Sequence, residues 1–73
     1  SMPSTAGYGN SGTPDFLICH RGKFIAVECK AGKGKLTALQ ESALLKISAC
    51  GGIALVINET NLNLLATTLG DLA

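Results

Sequence analysis

The chain has 73 residues, 47% of them hydrophobic, with six Lys and Arg against five Asp and Glu for a formal charge of +1. Below roughly 70–80 residues a single core leaves only a few kcal/mol of net stability, so one small domain is expected. The composition excludes a disordered chain, no run reaches the ~18 apolar residues of a membrane helix, and no charged-then-apolar leader opens the sequence; a soluble, intracellular, cytoplasmic protein with no membrane partner is the expectation.

Ser1-Met2 reads as the remnant of a removed tag ahead of a start methionine, and residues 1–11 read as a flexible N-terminal segment before a single domain over 12–73. Gly7-Tyr8-Gly9-Asn10-Ser11-Gly12 matches GxGxxG. No strand precedes it, however, and Pro14 stands where the helix of a dinucleotide site would begin, so no nucleotide cofactor is expected. Residues 14–20 (PDFLICH) and 23–30 (KFIAVECK) are apolar, β-branched and aromatic around Arg21-Gly22, the pattern of an antiparallel hairpin. Ala31-Gly32-Lys33-Gly34-Lys35 is a basic loop. It lacks the spacing of a phosphate-binding NTPase loop.

Leu36, Leu39, Ala43, Ile47 and Cys50 recur at three and four residues and predict the buried face of a helix over 38–50. Thr37 is placed as its N-cap, Gln40 completes a capping box, and Gly51-Gly52 ends it with a left-handed cap. The apolar run 53–58 (IALVIN) predicts a strand buried on both faces. From Thr60 onward Leu62, Leu65, Leu69 and Leu72 mark a second helix. The order β-β-α-β-α implies an α/β fold: a small mixed sheet with flanking helices, its third strand parallel to the second through a right-handed crossover. Cys19, Cys29 and Cys50 form no CxxC pair and read as buried reduced thiols.

Charge is unevenly spread. Arg21, Lys23, Lys30, Lys33 and Lys35 fall within fifteen residues whose only acid is Glu28. Such a patch suits a phosphate-bearing partner and makes Arg21, Lys23, Lys33 and Lys35 candidate DNA contacts.

A two-residue turn at Arg21-Gly22 would set His20 opposite Lys23 and, counting back, Asp15 opposite Glu28 on one face, with Lys30 on the same face by the strand's period of two. A slip of one residue would send Asp15 to the other face. Two opposed carboxylates repel, and a hard divalent cation, Mg²⁺ or Mn²⁺, is the usual compensation. The backbone carbonyl of Cys29 offers a third oxygen. Lys30 would then orient or help deprotonate the attacking water and offset charge at the phosphate. On the acids alone, a Glu28–Lys30 ion pair beside a solvated Asp15 explains the pattern at least as well.

Gly12-Thr13-Pro14-Asp15, then Glu28-Cys29-Lys30, then Leu36-Thr37 with Gln40, resembles the PD-(D/E)xK nuclease superfamily and, within it, the virus-type replication-repair nuclease (VRR-Nuc) domain. Residues 12 to about 57 follow that family's order of motifs. The resemblance implies a restriction-endonuclease-like core and a Mg²⁺- or Mn²⁺-dependent DNA endonuclease, structure-selective on branched DNA such as four-way junctions, in a bacterial or phage-infected cell. It further implies that Asp15 and Glu28 bind metal, that Lys30 serves the water, and that Gln40 reaches the site from the helix. Local rules equally make Gln40 the capping partner of Thr37. The leucine stripe of the second helix suggests a homodimer about a twofold axis. Two alternatives stay open: a non-catalytic DNA-binding module of the same fold, and a small dimerisation domain.

Overall fold

Arg21 and Gly22 both have positive φ, 54° and 81°, the combination of a two-residue type I′ turn, whose twist matches that of its flanking strands. The chain therefore reverses between β1 (Phe16–His20) and β2 (Lys23–Cys29). His20 lies opposite Lys23, Ile18 opposite Ile25 and Phe16 opposite Val27, the register expected from the turn. The computed structural model describes residues 12–72; the N-terminal segment 1–11 and its GxGxxG match lie outside the described residues.

Helix α1 (Ala38–Ala49) begins at a complete capping box: the Thr37 hydroxyl accepts the Gln40 N–H at 3.1 Å, and the Gln40 side-chain oxygen accepts the Thr37 N–H at 2.9 Å. It ends where Gly51, at φ +95°, donates to the Ser48 carbonyl at 3.0 Å while Gly52 donates to Ile47 at 2.9 Å. That pair of bonds is the Schellman arrangement. A side chain at Gly52 would meet Ile47 at 2.8 Å and the Phe24 carbonyl at 3.1 Å, so glycine also allows the close return to the sheet. β3 (Ile53–Ile57) then pairs parallel to β2, with Ile25 opposite Ile53 and Cys29 opposite Ile57, and α2 (Asn63–Asp71) closes the described chain. The molecule is a small α/β fold: a mixed three-stranded sheet in the order β1-β2-β3 with two helices.

Alternation along the strands divides the packing. Ile25 and Val27 join Leu55 and Ile57 in one cluster, against which Leu65 and Leu69 of α2 and Leu72 just after it pack. Ala54 and Val56, pointing the other way, meet Leu44 and its neighbours on α1. Both helices rest on β3, which leaves β1 at an open edge with Phe16 and Leu17 exposed.

Two expectations are corrected here, the buried face of α1 and the burial of the cysteines. Leu44, not Leu39, is the buried residue of α1; Leu39 is 60% exposed and Cys50 is exposed. Apolar side chains occur around much of this helix, so their spacing alone gives a poor fix on its rotation. Of the leucine stripe, Leu65, Leu69 and Leu72 are partly buried against the sheet and Leu62 is 67% exposed. All three cysteines are unpaired as expected, but exposed rather than buried. No helix among the described residues is long and apolar enough to cross a membrane.

Candidate active site

The hairpin register, continued by one pair beyond β1, brings Asp15 opposite Glu28, and the face they share is the one that α1 covers. Glu28 is 2% exposed and is the buried charged residue of the domain. A carboxylate so placed must find partners within the protein. Its Oε2 accepts the side-chain N–H of Gln40 at 3.0 Å and lies 3.9 Å from the Lys30 ammonium. Its Oε1 is buried with no hydrogen-bond partner among the described residues.

Gln40 caps α1 and also hydrogen-bonds Glu28. Because its Oε1 is taken by the Thr37 N–H, its amide is turned so that Nε2 faces Glu28. Helix capping thereby orients a group of the site. Leu44, one turn further on and buried against the sheet, fixes which side of α1 faces inward. At the other end of the helix start, a side chain on Gly12 would meet the Leu39 carbonyl oxygen at 3.0 Å, so the backbone leading to Asp15 passes directly against the first turn of α1.

Asp15 is exposed and accepts the Cys29 N–H through Oδ2 at 2.8 Å. The same register sets Pro14 opposite Cys29, at a position where paired residues normally exchange both backbone bonds. Proline has no N–H to give the Cys29 carbonyl, and the Asp15 side chain takes the Cys29 N–H instead. Pro14-Asp15 thus ends the ladder in a way that leaves backbone oxygen without its usual donor beside two carboxylates. Lys30 is tied on the opposite side, its N–H donating to the Ile57 carbonyl at 2.9 Å.

Burial raises the Glu28 carboxyl above its ordinary value, the Asp15 charge raises it further, and Lys30 opposes both. The ionised form is therefore short of positive charge. Asp15 and Glu28 supply hard oxygens, one of them buried and unpartnered, and this donor set fits Mg²⁺ or Mn²⁺, ions that keep several waters and need few protein ligands. The Cys29 carbonyl is the further oxygen on hand. Among the described residues no group of three or more His, Cys, Asp or Glu side chains gathers.

The basic residues divide. Lys33 and Lys35 are exposed on the loop that follows Lys30. Arg21 and Lys23 are exposed at the hairpin turn, about 17 Å from the acids at ~3.4 Å per residue. His20 is at that far end too. A residue that the sequence did not single out is Glu59, whose carboxylate reaches back to the basic loop; a lone acid in a connection gives no signal of its partner. Comparison with protein-family models, curated proteins and solved structures finds no match to this chain.

Proposed function

We propose that this domain is a metal-dependent DNA endonuclease with a restriction-endonuclease-like core, in which Asp15 and Glu28, with the Cys29 carbonyl, hold Mg²⁺ or Mn²⁺. The observation that carries the reading is Glu28: a buried carboxylate with one unpartnered oxygen, opposite a second acid and braced by an amide and an ammonium. An ion pair serving only the surface of a sheet needs none of this. The order of motifs from Gly12 to Gln40, which resembles the VRR-Nuc domain, points the same way.

An ion held there would supply a water activated at neutral pH and a positive charge for the phosphate oxygens. Gln40 holds the Glu28 carboxylate in place, and Asp15 is held by the Cys29 N–H. Lys30, beside Glu28, orients the attacking water and offsets charge as the water oxygen bonds to phosphorus and the bond to the leaving oxygen breaks. Lys33 and Lys35 meet the DNA backbone near the site, while Arg21 and Lys23 extend the basic track along the sheet. These positions suit phosphates rather than base edges, in keeping with selectivity for DNA shape, such as a branch, over sequence.

The test is incubation of branched and linear DNA with Mg²⁺, Mn²⁺ or EDTA. Cleavage is expected with either metal and is expected to vanish in EDTA and with Asp15→Asn, Glu28→Gln or Lys30→Ala while circular dichroism is kept. Undiminished turnover in EDTA would refute the mechanism. That no third His, Cys, Asp or Glu gathers with these two acids among the described residues favours one second reading, a DNA-binding module without catalysis; metal-independent binding with no cleavage of any substrate would select it.

A further inference from the structure

Both oxygens of the Glu59 carboxylate accept the N–H of Gly32, at 2.9 and 2.8 Å, from 27 residues further along the chain. Gly32 is the first central residue of a tight turn. Gly34 donates to the Ala31 carbonyl at 2.9 Å. Gly32 has φ +57°, whereas Lys33, the second central residue, is not among those with positive φ. A positive φ at the first central position alone is the type II′ pattern, one that glycine adopts without strain. Lys33 therefore rides on a turn between two glycines, residues costly in conformational entropy to order, and a charge-assisted bond from outside adds to the bond that closes the turn from within. Glu59's own N–H and that of Gly32 hold its carboxyl below the usual range, as a carboxylate engaged by backbone donors should be.

The placement is odd on charge alone. An acid beside Lys33 and Lys35 lowers the positive potential that a phosphate would seek. Position resolves the conflict. Glu59 follows β3 by two residues, and Ile57 at the end of β3 already holds the Lys30 N–H. The two ties fasten both the start of the basic loop and its turn to the strand next to the one that carries Glu28.

We propose that Glu59 is a positioning residue for DNA: its carboxylate latches the Ala31–Gly34 turn to the end of β3, so that Lys33 is presented to a backbone phosphate at a fixed distance from the Glu28–Lys30 pair. The inference rests on the reading that Lys33 contacts phosphate. A loop lysine left to wander would lose more by ordering on contact than it gains from the missing acid.

Binding of fluorescent branched DNA in EDTA separates the possibilities, measured for the wild type, Glu59→Ala, Lys33→Ala and the double variant. Glu59→Ala is expected to weaken binding about three- to tenfold, toward the lower end of couplings between residues in contact. Removing an acid should by charge alone tighten it. In the Lys33→Ala background the same change is expected to bring no further loss, only the slight gain that removing an acid gives. The Gly32 amide resonance should shift in Glu59→Ala while those of Ile25 and Val27 stay in place. Glu59→Gln, which keeps an acceptor oxygen and the volume but loses the charge-assisted bond, should fall between the wild type and Glu59→Ala and serves if the alanine variant does not fold; tighter binding by Glu59→Ala, or by Glu59→Gln with a shifted Gly32 amide resonance, overturns the latch. Wild-type binding that is indifferent to Lys33→Ala refutes the reading beneath it, whereas binding that needs Lys33 but not Glu59, or losses that multiply in the double variant, refutes the latch alone.

Discussion

Replacing Gln40 with Ala removes two hydrogen bonds that the structure joins in one side chain. Loss of the bond to the Thr37 N–H costs about 1 kcal/mol, the usual net value of a neutral hydrogen bond, and loss of the bond to a buried carboxylate about 1.5–3 kcal/mol. The sum is about 2.5–4 kcal/mol. In a domain this small, 1 kcal/mol moves the melting temperature by roughly 4–8 °C, so a fall on the order of 10–30 °C is expected at neutral pH. Thr37→Ala, which breaks the cap but leaves Glu28 its donor, should cost about 1 kcal/mol. The two variants should also differ in pH dependence. Because the folded-state pKa of Glu28 is raised, its ionised form costs stability above that pKa, and the cost disappears as pH falls through it. Taking away Gln40 withdraws a donor chiefly from the ionised form. Its excess penalty over Thr37→Ala should therefore be greatest at pH 8 and shrink as the pH falls toward the ordinary carboxylate range near ~4.3. Calorimetric or circular-dichroism melts of both variants at pH 8 and pH 4.5 read this directly. Equal losses in the two variants at both pH values would refute the idea that Gln40 supports a buried charge.

Replacing both Lys33 and Lys35 with Ala should weaken DNA binding to a similar degree for all sequences and reduce the slope of log affinity against log salt by about 1.8, the value for two duplex phosphate contacts; sequence-dependent losses would contradict it. Gly12→Ala should lower both the melting temperature and the cleavage rate, because its Cβ would meet the Leu39 carbonyl oxygen at 3.0 Å and push the approach to Asp15 away from α1; an unchanged rate would show that this contact does not position the acid. Leu65→Glu should destabilise the fold by roughly 2–5 kcal/mol, as expected for an unpaired charge placed where an apolar side chain packs on the sheet. A stable Leu65→Glu protein whose sedimenting mass drops from twice 7.5 kDa to 7.5 kDa would instead return the stripe to a dimer interface.

How far the sequence carried depended on the kind of information each residue holds. Arg21-Gly22 permits few turns, and a two-residue turn sets the register of every residue behind it, so the opposition of Asp15 and Glu28 followed from counting. Thr37, Gln40 and Gly51 act through bonds within four residues, and the ends of α1 were legible for the same reason. The rotation of α1 was not, because Leu39 and Leu45 are as apolar as Leu44 and only contact with Ala54 and Val56 decides between them. The packing of the α2 stripe depended likewise on whether one face of β3 remained free to receive it. Glu59 shows the limit most plainly: its partner is a backbone N–H, which leaves no mark in side-chain chemistry, and the two are brought together by the parallel return of β3 beside β2.

Mn²⁺ binding is the measurement that bears most directly on the site. Electron paramagnetic resonance of Mn²⁺ titrated into the protein at a series of pH values from the ordinary carboxylate range near ~4.3 up to pH 8 reports bound ion without any need for turnover. A proton on Glu28 competes with the metal, and its pKa is raised, so affinity should increase with pH as that proton is released. Asp15→Asn and Glu28→Gln should each weaken binding by about tenfold or more, since even groups behind the ligands commonly matter that much, and Mg²⁺ should displace the signal. Mn²⁺ affinity that is the same in the wild type and both variants, or no binding by the wild type at pH 8, would contradict a metal centre at Asp15 and Glu28.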